Sequence, residues 1–247
     1  MDGMFRPVTR ALVALCVCVP LGLAACGDQS VAPERAAPVR APAAATAFQN
    51  QVIRVVDSVS PAVVQVRCGR SLGSGVVFDR SGDVVTNAHV VDGERRCMVT
   101  LSGGDEHPAT TVGSDSGNDL AVVHLTGATP EPAAFGDSSK LQVGQTVLAM
   151  GNPLGLRSSV TQGIVSSLDR NVAESASVEL SSLIQTSAEI NPGNSGGALV
   201  DLSGRVIGIP TLTALDPEFG DAQAPGIGFA IPSNAVRSVA AQLIASG

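Results

Sequence analysis

At 247 residues, 44% of them hydrophobic and only 15% charged, the chain can bury a sizeable core and is unlike a disordered polymer. A net charge of −7 and a single lysine, Lys140, argue against the basic surface that nucleic acids require. With six Phe, no Trp and no Tyr, the core has to be built from Val, Ile, Leu and Ala, and Val-rich segments favour strands.

The first residues read as an address. Arg6 and Arg10 precede the apolar run ALVALCVCVPLGLAAC, which is short for a membrane span and is broken by Pro20 and Gly22. That pattern is a signal peptide over residues 1–25. Its end, Leu23-Ala24-Ala25-Cys26, resembles the lipobox of bacterial lipoproteins, in which the cysteine is lipidated and becomes the mature N-terminus. An ordinary secretory signal cut near Ala25 is the other reading. Either one implies export, and the lipobox adds a membrane tether at Cys26. Of the five cysteines, Cys16 and Cys18 leave with the signal, so Cys68 and Cys97 remain as an even pair in an oxidising compartment. They form a disulfide on this reading, or stay two buried thiols acting as small hydrophobes.

Residues 26–47 are rich in Ala and Pro without apolar periodicity, the composition of a flexible tether. The domain proper is expected over 48–247. Phe48, Val52, Val55, Val56 and Val59 recur at helical spacing, and Pro61 ends that short helix. Next come AVVQVRC, SGVVFD, DVVTN, CMVTL, PATTVG and LAVVHL, a first set of strand-like segments within about 60–135. TVLAMG, SVTQGIVSSL, LIQTS, GALVD, RVIGI and GIGFAIP form a second set within about 141–232. Arg80-Ser81-Gly82 and Leu202-Ser203-Gly204 read as hairpin turns. Ser233-Asn234 reads as a capping pair for a closing helix over 233–246, with Val236, Val239, Ala240, Leu243 and Ile244 on one face. The fold expected is all-β: two six-stranded antiparallel barrels with a short N-terminal and a C-terminal helix.

Acyl transfer from a peptide bond needs a nucleophile, a base for its proton, an orienter for the base and donors for the oxyanion. Ser195 lies in Gly193-Asn194-Ser195-Gly196-Gly197, where a glycine-flanked turn exposes a hydroxyl and lets a substrate backbone approach. The oxyanion hole is assigned to Gly193, Asn194 and Ser195, chiefly the N–H groups of Gly193 and Ser195. Of three histidines, His107 sits in an acidic turn and His124 within a strand as a barrel-wall residue, leaving His89 in TNAHVV as the base. Asp119, at the entrance of the strand Leu120-Ala121-Val122-Val123, is the candidate orienter. The order His, Asp, Ser is that of chymotrypsin.

TNAHVVDG, NDLAVV, GNPLG, TQGIVSSLDR, QTSAEINPGNSGGALVDLSGRVIGI and GIGFAIPSNAV together resemble the protease domain of the HtrA (Deg) family, from about Phe48 to Gly247. The resemblance implies a cleft between barrels, with His89 and Asp119 from the first and Ser195 from the second, and no metal or organic cofactor. It implies a substrate pocket at Glu189, Ile190, Ile209, Pro210 and Thr211. Glu189 falls on the pocket floor, where relatives usually carry a small uncharged residue and prefer small aliphatic side chains. A carboxylate there would select Arg or Lys. A Glu189 turned to water, with Ile190 narrowing the pocket, would keep the aliphatic preference. The chain ends about a dozen residues after GFAIPSN, so no peptide-binding PDZ domain is expected. Asn194 stands where digestive relatives carry an aspartate that pairs with a newly cut N-terminus, so activation by propeptide removal is not expected. Many relatives trimerise through aromatics at the start of the domain, where only Phe48 is present here, and the oligomeric state is left open. The partners implied are unfolded or specific envelope proteins and, through lipid, the membrane. A protease making one regulatory cut and a protease-fold binding module are the rival readings.

Overall fold

A computed structural model of the chain describes residues 42–128, 130–152, 159–173, 179–191, 193–216 and 222–247. The expected signal peptide, Cys26 and nearly all of the expected tether lie outside the described residues.

Helix α1 (Ala43–Val59) begins earlier than the apolar spacing indicates. The five residues AAATA before Phe48 were expected to be tether and are helical, because alanine is the strongest helix former and needs no buried face. Only Val55 and Val59 of α1 are buried, and Pro61 opens a 3-10 turn at Ser60–Ala62 that turns the chain into the sheet.

The first six strands are β1 (Val63–Cys68), β2 (Ser71–Val77), β3 (Asp83–Thr86), β4 (Arg96–Thr100), β5 (Glu106–Asp115) and β6 (Leu120–Leu125). They close into a barrel in the order β1-β2-β3-β6-β5-β4. The next six are β7 (Thr146–Gly151), β8 (Ser159–Ala173), β9 (Glu179–Thr186), β10 (Ala198–Asp201), β11 (Val206–Asp216) and β12 (Ala222–Pro232). These close as β10-β11-β12-β9-β8-β7, and every pairing in both barrels is antiparallel. The expected fold class is the one found. A short helix α2 (Ala88–Val91) follows β3, and α3 (Ser233–Ser246) follows β12.

Period-two geometry explains why the strands are runs of Val and Leu instead of alternating with polar residues. On β6, Ala121, Val123 and Leu125 fill barrel one while Leu120 and Val122 face a third apolar layer. On β7, Val147 and Ala149 fill barrel two while Leu148 and Met150 enter that same third layer. The layer also takes Val63, Val76, Val200, Ile209, Phe229 and Ile231, so it is the seam between the barrels, and Val55, Val59, Val236 and Ala240 bring both long helices into it.

Cys68 and Cys97 stand directly opposite on β1 and β4, and their sulfurs are bonded. Helix α3 packs on β5 and β6 of barrel one and on β11 and β12 of barrel two. Its first residues do not cap it as expected. Ser233 Oγ instead donates to the Gly136 carbonyl (3.0 Å) and Asn234 Nδ2 to Asp137 Oδ1 (2.9 Å), both in the segment joining the barrels. Asp137 Oδ1 also accepts from the N–H and hydroxyl of Ser139, and Lys140 Nζ lies 3.3 Å from Oδ2. The Asn234 and Ser139 donors, with Lys140, hold the Asp137 carboxyl well below the usual carboxylate range.

Candidate active site

Asn87 follows β3 and leads into α2, which presents His89 at the rim of barrel one with its side chain 43% exposed. Asp119 occupies the turn before β6 with φ +48°, a left-handed conformation that Asp tolerates, and its side chain is 2% exposed. A buried carboxylate is stable only when its oxygens are saturated with donors. His89 Nδ1 lies 3.0 Å from both Oδ1 and Oδ2, and the backbone N–H of His89 donates to Oδ1 at 3.1 Å. The Thr211 hydroxyl donates to Oδ2 from barrel two. Asn87 Nδ2 donates to the Asp119 carbonyl at 2.9 Å and holds the turn itself. Because a carboxylate only accepts, the Nδ1 facing it carries the ring proton, the tautomer in which Nε2 is the basic nitrogen of the ring.

Ser195 is tied to the same group through Thr211: its hydroxyl donates to the Thr211 carbonyl at 3.2 Å. The surrounding loop is pinned bond by bond. The N–H of Ser74 on β2 donates to the Ser195 carbonyl at 2.8 Å, and the Ser74 hydroxyl donates to the Gly193 carbonyl. Gly196 N–H donates to Pro210 O at 3.0 Å, and Gly197 N–H to Asn194 O at 2.9 Å. Gly196, at φ +81°, has no room for a side chain, because a Cβ there would strike Ser74 O and Thr86 Oγ1.

Several expected site residues stand elsewhere. Asn194 N–H donates to Asn191 O at 2.9 Å, so it is committed inside the loop and is not an oxyanion donor. Glu189 is exposed, and its carbonyl accepts from Thr161 Oγ1 at 2.8 Å. Ile190, 4% exposed, sits in the core of barrel two beside Gly228. Ile209 is wholly buried in the seam, Pro210 is buried, and Thr211 turns its hydroxyl to Asp119 instead of lining a pocket. Strand alternation sends successive side chains of this stretch to opposite faces, leaving its backbone as the part nearest Ser195. His124, expected as a wall residue, lies half-exposed with Nδ1 2.8 Å from buried Asp83 on the adjacent strand.

The pattern described as "Trypsin-like peptidase domain" matches residues 73–209, more than half of the chain, and that span holds His89, Asp119 and Ser195. The chain belongs to the trypsin-like peptidase domain family. Within that family it is similar to "Serine protease Do-like HtrA" of Bacillus subtilis, 45% identical over 183 residues, 71% of this chain and 40% of that protein. It is also similar to "Probable periplasmic serine protease do/HhoA-like" of Haemophilus influenzae, 46% identical over 180 residues, 72% of this chain and 38% of that protein. The solved structure "HtrA-type protease AlgW with tripeptide" superposes with a TM-score of 0.69 at 38% identity, covering 78% of this chain and 63% of that one. The chain thus spans about two fifths of the length of these two curated relatives. As a trypsin-like peptidase domain, it places its histidine and aspartate on one barrel and its serine loop on the other.

Proposed function

We propose that the chain is an exported HtrA-type serine endopeptidase that cleaves proteins of the bacterial envelope. The observation that carries this reading is the buried Asp119 carboxylate, which faces His89 Nδ1 and is joined through Thr211 to Ser195. In the reaction, Ser195 Oγ attacks the scissile carbonyl carbon while His89 Nε2 takes its proton. The carbonyl π electrons move onto oxygen, and the N–H groups of Gly193 and Ser195 stabilise that oxyanion. Collapse breaks the C–N bond, the imidazolium passes its proton to the leaving amine, and an ester to Ser195 remains. Water, deprotonated by His89, then hydrolyses the ester and frees the serine. Asp119 keeps its charge throughout and stabilises the imidazolium.

A fluorophosphonate probe tests the reading: it should label Ser195 in the wild type and leave Ser195→Ala unlabelled. Ser195→Ala should also lose peptide hydrolysis by about a thousandfold or more. A Ser195→Ala protein that kept more than a few per cent of activity would refute the assignment.

Export rests on the N-terminal apolar run and on the Haemophilus relative, whose name places it in the periplasm. Anchoring by lipid at Cys26 rests on Leu23-Ala24-Ala25-Cys26, and a palmitate analogue should mark the wild type but not Cys26→Ser.

A further inference from the structure

Ser74 is wholly buried on β2, in the barrel opposite to the one that carries Ser195, and every polar atom it has is engaged. Its N–H donates to the Ser195 carbonyl at 2.8 Å, and its carbonyl accepts from Thr86 Oγ1 at 2.6 Å, three residues before His89. Its hydroxyl has one proton and lone pairs to use. The proton goes to the Gly193 carbonyl, and a lone pair accepts the N–H of Asn152 at 2.8 Å.

That hydroxyl acts on a single rigid plane. The Gly193 carbonyl and the Asn194 N–H belong to one trans peptide. Ser74 holds one side of it, and Asn191 O accepts from the other at 2.9 Å. Gly193 has φ +103°, a region that glycine enters freely and leaves as freely. With no side chain of its own to fix the torsions, the orientation of the Gly193 N–H relative to the next plane depends on what anchors that plane. The following plane is tied separately, by Gly197 N–H to Asn194 O. Among the described residues, no acceptor takes the N–H of Gly193 or of Ser195.

We propose that the Ser74 hydroxyl is a positioning group for the oxyanion hole, fixing the Gly193–Asn194 peptide from the opposite barrel so that both N–H donors stay aimed at the developing charge. The proposal rests on Ser195 being the nucleophile. Electrostatic stabilisation of this kind depends on donors already in place when charge develops, so a loosened loop weakens the transition state more than substrate binding.

Ser74→Ala tests it cleanly, because alanine keeps both main-chain bonds of residue 74 and deletes only the hydroxyl. Expected is a fall in kcat of about 10- to 100-fold with KM changed less than about threefold. A peptidyl chloromethyl ketone labelled with ¹³C at its carbonyl gives a second readout, since its hemiketal on Ser195 titrates with the oxyanion. In Ser74→Ala that oxyanion should titrate about one pH unit higher than in wild type, the equivalent of tenfold weaker stabilisation. A merely structural role would lower the melting temperature and leave this titration in place. Should Ser74→Ala not fold, Ser74→Cys retains a weaker, longer-reaching donor, and its adduct should titrate above the wild-type value. If the wild type forms no adduct at Ser195, the nucleophile assignment falls and this inference with it. If the adduct forms and titrates identically in wild type and variant, the role of Ser74 alone is overturned.

Discussion

The hydroxyl of Thr211, on barrel two, donates to the carboxylate oxygen Oδ2 of Asp119, on barrel one. It is the one donor to that carboxylate, among the contacts described, that crosses the seam. Thr211→Val keeps the shape but leaves a buried carboxylate oxygen short of a donor, which should destabilise the fold by about 1–3 kcal/mol. It should also lower kcat, because Asp119 then orients His89 less firmly. Thr211→Ser should restore both quantities. Chemical denaturation and steady-state kinetics on the three proteins check this, and a Thr211→Val enzyme with unchanged kcat would remove the hydroxyl from the catalytic account.

Glu189 is exposed, so its charge should not choose substrates. Cleavage of a peptide library by the wild type and by Glu189→Gln should give the same preference at the residue before the cut. A preference for Arg or Lys that disappears in Glu189→Gln would mean that the carboxylate swings into the pocket when substrate binds.

The Cys68–Cys97 bridge closes a loop with a sequence separation of 29 residues that contains β2, β3 and the helix bearing His89. In the chain-entropy model a loop of this length stabilises by about 3–4 kcal/mol. The double variant Cys68→Ala/Cys97→Ala should therefore unfold at markedly lower denaturant, with the transition slope little changed apart from a more expanded unfolded chain. Titration of unfolded wild type without reductant should find neither of these thiols free.

Asp137 supplies a pH signature. The Asn234 and Ser139 donors, together with Lys140, depress its folded pKa below the ordinary value of 3.8. The sign follows from linkage: the contribution is complete above the unfolded value, declines as pH falls below it, and is gone once the folded carboxyl is also protonated. Asp137→Ala should thus melt below the wild type at neutral pH, with the gap closing on strong acidification. A gap that is constant with pH would assign the effect to packing.

Much of this architecture can be read from one-dimensional pattern. The Val-rich runs separated by Gly and Ser turns disclose two strand sets. His89, Asp119 and Ser195 stand out because each lies in a distinctive local motif. What closes the site does not. Ser74 sits in an ordinary strand, LGSGVV, and nothing local tells that its hydroxyl reaches a loop 119 residues further on. Thr211 likewise looks like one more polar strand residue, and the meeting of His124 with Asp83 depends on a register set by barrel closure. The early start of α1 is a different case. Its alanines lack a hydrophobic stripe, so periodicity is silent where propensity decides.

The seam between the barrels also governs what happens when the fold opens. Separating the barrels far enough to offer a strand to another molecule breaks the Thr211–Asp119 bond and pulls Ser74 from Gly193 and Ser195. A molecule exposed as prey is therefore disarmed at the same moment. On the proposed peptidase reading, opening and inactivation are one event, so copies that have loosened would be cut by intact neighbours without cutting in turn. At high concentration, loss of activity by self-digestion should then follow the rate at which molecules open and not the rate at which they cut.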